Sequence, residues 1–217
     1  MPKNSEKINP SQEEITSVIE LYNSGDIAKT IDITKTLNNK YPNVPLFFNI
    51  LGACYKSLNE FDSSVKMFKA AIAIKQDYIE AHKNLAVTLL DLGQFDEALV
   101  SLNNAITINP NFAEAHYHRA NLLKDLGRAN EAIESYQKVI HLKPNFADAH
   151  NNLANIFESL EMYDEALVNY QNAIDLNSNF SEAFNNLANT LRILGRLDEA
   201  LENYNKAIKI NPIETIK

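Results

Sequence analysis

The chain has 217 residues, 45% of them hydrophobic, one cysteine and a formal net charge of −8. No apolar run approaches the roughly 20 residues of a membrane span. A single thiol rules out an intramolecular disulfide, and the acidic balance argues against nucleic acid, whose phosphates require a basic stripe.

Met1–Pro10 is polar and lacks the apolar stretch of a signal peptide, so a short disordered tail and a reducing, cytoplasmic location are expected. From Ser11 onward a period of 34 residues runs without insertion or deletion. Six copies follow, at 11–44, 45–78, 79–112, 113–146, 147–180 and 181–214, leaving 215–217 as a stub. A fixed period of this size marks a solenoid, in which each unit buries its apolar face only against its neighbours. No catalytic domain is left over, and no phosphate-binding glycine loop or nucleophile motif occurs. The chain reads as a non-enzyme that needs no cofactor.

The first copy departs most from the pattern, with Glu14, Ser17, Thr30 and Thr34 at recurring apolar positions. It reads as partly cap-like and as the least protected against hydrogen exchange. Its first helix offers an apolar stripe of Ile15, Val18, Ile19 and Tyr22. The second copy carries Cys54, a small packing residue. The third shows the layout plainly: Leu85, Ala86, Leu89 and Leu92 line one helix, and Ala98, Leu102, Ala105 and Ile106 a second. Gly93 separates them, a position held by Gly25, Gly127 and Gly195, by Asn59 in the second copy and by Glu161 in the fifth. A left-handed residue after a helix explains the preference, and a side chain such as Glu161 costs roughly 1 kcal/mol there. Asp62, Asp96, Asn130, Asp164 and Asp198 sit in the first turn of the second helix, where the helix dipole favours them. Pro42, Pro110, Pro144 and Pro212 stop that helix. The expectation is twelve helices in helix–turn–helix units. Small residues recur at helix contacts, Ala86, Ala120, Ala154 and Ala188 facing Ala98, Ala132, Ala166 and Ala200. Phe68, Tyr136, Tyr170 and Tyr204 supply a large partner, with Leu102 once in their place.

Large residue, Leu, small residue, large residue, then Ala, aromatic, Ala and Pro at fixed offsets: this pattern resembles the tetratricopeptide repeat (TPR) family. The resemblance covers Ser11–Glu214 and implies an all-α, right-handed superhelical solenoid of six repeats, with the first helices lining its concave side. Such folds serve as protein-interaction scaffolds.

His82, His116 and His150 stand 34 residues apart, one per repeat, and so do not converge on a metal; they read as partly buried packing residues. The asparagines carry more. Asn84, Asn152 and Asn186 share one first-helix position and Asn121, Asn155 and Asn189 another, three residues later, so that both lie on one helix face. A carboxamide donates and accepts, so a column of them suits the backbone of an extended peptide. The spacing resembles the asparagine ladder in the repeat arm of O-GlcNAc transferase. A general asparagine bias is the alternative, supported by Asn103, Asn104, Asn172 and Asn203 elsewhere. Glu80, Glu114, Asp148 and Glu182 stand where a clamp for anionic tails needs Lys or Arg, so neutral or basic segments are the expected partners.

Three functional readings follow. The leading one is a protein-binding scaffold with a groove at those six asparagines. The second is head-to-tail self-assembly of a homo-oligomer into filaments or tubes, with Leu201, Tyr204 and Ile208 of one chain meeting Ile15, Val18, Ile19 and Tyr22 of the next. The third is the recruiting arm of a larger glycosyltransferase.

Overall fold

The computed structural model describes residues 9–212. The expected tail lies almost entirely outside them, and the stub wholly so. Among the described residues there are twelve helices and no strands: α1 (Gln12–Asn23), α2 (Ile27–Lys40), α3 (Pro45–Ser57), α4 (Phe61–Ile74), α5 (Ile79–Asp91), α6 (Phe95–Ile108), α7 (Ala113–Asp125), α8 (Ala129–Leu142), α9 (Ala147–Ser159), α10 (Tyr163–Leu176), α11 (Ser181–Ile193) and α12 (Leu197–Ile210). They form two compact units, the first ending at Pro110 and the second beginning at Asn111. In the first, α1–α2, α3–α4 and α5–α6 are antiparallel pairs, and α3 and α5 also pack on the second helix of the preceding pair. In the second unit α7–α8, α9–α10 and α11–α12 repeat the arrangement. This nearest-neighbour packing is what a 34-residue unit with two apolar stripes requires.

The turn inside each pair closes as the sequence implies. Residues Gly25, Asn59, Gly93, Gly127, Glu161 and Gly195 all have positive φ, with 59° at both Asn59 and Glu161. The next residue returns its amide to the helix, as Gln94 N does to Leu89 O at 2.8 Å and Met162 N to Phe157 O at 2.9 Å, which caps the carbonyls at the helix end. Glu161 therefore occupies a conformation that disfavours any Cβ. Glu161→Gly is expected to raise stability by about 1 kcal/mol, seen as a higher urea midpoint at unchanged slope.

Small residues let the paired helices approach. Ala86, Ala98, Ala120, Ala132, Ala154, Ala166 and Ala188 are completely buried, and Phe68, Leu102, Tyr136 and Tyr170 fill the space beside them with no exposure. His82, His116 and His150 are buried at 6–8% exposure, as expected of packing residues. Cys54 is buried with Val18, Ile31, Ile50 and Leu51, and loss of solvation pushes its thiol up to about 11.

The first pair corrects the cap-like reading. Thr30 and Thr34 do not face solvent; both are fully buried, Thr30 Oγ1 donating to Asp26 O at 2.7 Å while Thr34 Oγ1 has no partner. They are core positions filled by undersized polar side chains. Glu14, in contrast, builds a capping box with Ser11: Ser11 N donates to its carboxylate at 2.8 Å and Glu14 N to Ser11 Oγ at 3.1 Å. Lys40 Nζ and the Tyr41 hydroxyl donate to the same carboxylate at 3.0 Å each. The Ser11 amide first, then Lys40, hold the carboxyl down to about 2 from its ordinary 4.5. A depressed carboxylate pKa stabilises the folded state above the unfolded value and loses that contribution as pH falls. Hydrogen exchange in α1 is therefore expected to accelerate as pH drops from 4.5 towards 2, relative to Glu14→Gln, in which the acceleration should be absent.

Candidate functional site

Asn84, Asn121, Asn152, Asn155, Asn186 and Asn189 are all half-buried, and they do not stand free. In the second unit they form a connected series. Asn152 Nδ2 donates back to Asn121 Oδ1 at 3.3 Å and lies at the same distance from the Tyr117 hydroxyl. One repeat later Asn186 Nδ2 donates to Asn155 Oδ1 at 3.1 Å and to Asn151 Oδ1 at 3.3 Å. In the first unit Asn84 Nδ2 donates to Asn49 Oδ1 at 3.1 Å. Offsets of 31 and 35 residues place each donor one turn-register from its acceptor on the neighbouring first helix, so the amides of successive copies meet.

The second asparagine column has a role the sequence reading missed. Each member accepts a hydrogen bond from the tyrosine hydroxyl of its own repeat: Tyr136 to Asn121, Tyr170 to Asn155 at 2.6 Å and Tyr204 to Asn189 at 2.5 Å. Tyr136 and Tyr170 have no exposed surface, and an unpartnered buried hydroxyl is costly. Desolvation pushes both phenols well above their usual range, so each remains a protonated donor. The signal was present in the sequence. Copies with a tyrosine at this place have asparagine opposite; where Phe68 and Leu102 replace the tyrosine, Ala53 and Val87 replace the asparagine. Asn121, Asn155 and Asn189 therefore also take part in the packing of their own repeats. Asn49 and Tyr117 also enter the network unforeseen, together with Asn151 at 1% exposure, which stands beside the columns in the sequence.

These bonds polarise the carboxamides. Asn121 Oδ1 and Asn155 Oδ1 each accept two hydrogen bonds, from a tyrosine and from the next asparagine. The Nδ2 groups of Asn152 and Asn186 are spent as donors within the network, and Asn121 also hydrogen-bonds the Tyr117 hydroxyl. The acidic side of the face is weaker than its residue types suggest. Glu114 is paired with Lys143, and Glu182 accepts from Asn151 Nδ2 at 3.1 Å, leaving Glu80 and Asp148 exposed.

The proposed end surfaces fare unequally. On α12, Leu201 is 60% and Ile208 46% exposed, although Ile174, the counterpart of Ile208 on α10, is 7% exposed. Tyr204 is half-buried and tied to Asn189. On α1, Ile19 is 38% exposed and Ile15 half-buried. Val18 is fully buried in the core of its own unit, and Tyr22 packs against that core, because α1 turns this face to α2 and α3. Val18 is thus withdrawn from any surface.

Residues 88–127 and 120–161 match the TPR repeat family, and 47–78, 147–180 and 181–213 match the tetratricopeptide repeat. The chain belongs to the tetratricopeptide repeat family. Over 71 residues, 33% of the chain, it is 31% identical to the peroxisomal targeting signal receptor of Kluyveromyces lactis, and it spans only 12% of that protein's length. Among solved structures it is similar to Pseudomonas aeruginosa pilF, with TM-score 0.81 and 13% identity, covering 93% of this chain and 91% of the other. It is also similar to YrrB, a TPR protein with an unusual peptide-binding site, with TM-score 0.71 and 18% identity over 83% of this chain and 93% of the other. These similarities establish the TPR solenoid fold.

Proposed function

We propose that the chain is a non-enzymatic scaffold that holds extended protein segments against its asparagine-bearing face by their backbone. The observation that carries this is the polarised network of the second unit. Its linked carboxamides run along one face, and each carries both a donor and an acceptor, which suits an extended backbone that presents C=O and N–H in turn. The tyrosine bonds fix the carboxamides beforehand, which lowers the ordering cost of binding. The peptide-binding site named for YrrB and the targeting-signal role named for the Kluyveromyces receptor support the same class of ligand. The exposed carboxylates Glu80 and Asp148 favour neutral or basic segments over acidic ones.

Backbone recognition has a distinct signature. Peptides selected from a random library are expected to lose affinity about tenfold on N-methylation of alternate amides, while side-chain shuffling has a much smaller effect. Asn152→Ala with Asn186→Ala is expected to weaken them by about 1–3 kcal/mol. Because both residues are hydrogen-bonded and half-buried, the double variant should also lose some stability while remaining folded. Affinity that follows side-chain order and ignores N-methylation would overturn the reading.

The exposure of Leu201 and Ile208 supports a second reading, in which α12 meets a further copy of the chain. The contact is heterologous and need not close, so it would extend as a filament. Leu201→Lys with Ile208→Lys is expected to abolish any rise of mass with concentration in light scattering; a wild type that stays monomeric throughout would exclude it.

A further inference from the structure

The second unit carries another concave surface, on the opposite side of α9 from the asparagines. At 3.6 residues per turn, His150, Leu153 and Phe157 point roughly 160° away from Asn152 and Asn155. They floor a cavity of about 580 Å³ between α8 and α10, walled by Ile140 and Val168, with Asp164 and Glu165 of the first turn of α10 at its edge. That volume is in the range of ligand pockets. Val168 is 60% exposed, an unusual setting for an aliphatic side chain beside an apolar floor.

The first unit repeats the arrangement 68 residues earlier. Leu85, Val100, Asp96 and Glu97 surround a smaller cavity of about 330 Å³, and Val100 is 59% exposed. The copy between them breaks the pattern, with Arg119 for the leucine and Glu134 for the valine. The two cavities differ at one telling position. In the first unit Lys69 Nζ reaches across to Glu97 Oε2 at 3.0 Å and supplies the acidic edge with its own counter-charge. In the second unit Gln137 stands in the place of that lysine, and Glu165 makes no ion pair among the described residues.

We propose that the second-unit cavity is a docking site for a basic segment of another protein, which inserts one large apolar side chain between α8 and α10 and sets a Lys or Arg against Asp164 and Glu165. Lys69 shows where that cation sits, because it occupies the equivalent place within the chain itself. The apolar floor supplies the driving force and the carboxylates the choice of sign. The site is independent of the asparagine face, so one chain can hold two segments at once.

The test uses the full chain and a random dodecapeptide phage library. Recovered sequences are expected to place Lys or Arg next to a large apolar residue. Synthetic peptides of those sequences should bind about tenfold more weakly to Gln137→Lys, which restores the internal counter-charge, and to Val168→Asn. Both positions are on the surface, and circular dichroism checks that the variants fold. The peptides that carry this pattern should be essentially unaffected by Asn152→Ala with Asn186→Ala, which separates them from the backbone-bound peptides of the asparagine face. Recovery of no peptides with this pattern, their undiminished binding to Gln137→Lys, or loss of their binding in the asparagine variant would each overturn the proposal. Self-association in light scattering that Val168→Asn abolishes would overturn it in favour of a second copy as the occupant.

Discussion

Tyr170→Phe is expected to destabilise the second unit by about 1–3 kcal/mol, because it removes a buried hydroxyl that two acceptors share. That hydroxyl lies 2.6 Å from Asn155 Oδ1 and 2.7 Å from Glu158 Oε2, and the ring around it has no exposed surface. The chain already contains the compensated alternative, since Phe68 stands opposite Ala53. Tyr170→Phe combined with Asn155→Ala should therefore cost less than the sum of the two single changes. Urea unfolding of the four proteins gives the coupling directly. Strict additivity would show that the tyrosine and asparagine do not act as a pair.

The second large effect is expected at Gly52. It takes the position that Ala86, Ala120, Ala154 and Ala188 hold in later copies, yet a Cβ there would lie 2.6 Å from Cε1 of Phe68. The Phe68 ring is fully buried and has no open space into which to move. Gly52→Ala is expected to cost about 1–3 kcal/mol through overpacking, despite the better helix propensity of alanine. Phe68→Leu added to it recreates the Ala86–Leu102 pair of the third copy and should recover much of the loss. A Gly52→Ala protein as stable as the parent, measured by urea midpoint, would show that α3 and α4 can separate without penalty.

Much of the fold was legible because each determinant is local and occurs several times over. The apolar stripes, the left-handed position after the first helix and the first-turn acids depend on spacing along one helix. Even the exceptions Asn59 and Glu161 were placed correctly, since a turn that recurs at a fixed register constrains whatever residue falls in it. The first copy was harder. Thr30 and Thr34 look like surface residues by type, but their register on α2 puts them in the core, and position outweighs polarity when the neighbouring helices cover that face. Glu14 looked like a lost apolar position and is the residue that ties α1 to the end of α2.

The candidate site divides along the same line. That two asparagine columns lie on one face of the first helices follows from residue spacing, because helical periodicity alone fixes which residues share a side. The resemblance of the chain's 34-residue pattern to the tetratricopeptide repeat also pointed to the family, which the family matches show. The partners of the asparagines come from helix packing instead. Hydrogen bonds from Tyr136, Tyr170 and Tyr204, and from the asparagine one repeat on, span separations of 15 and 31 residues. Such bonds depend on distance and orientation between helices, which no periodicity within one helix specifies. The same holds for Val18, whose apolar type suits a surface stripe or a core equally, and which burial between packed helices assigned to the core.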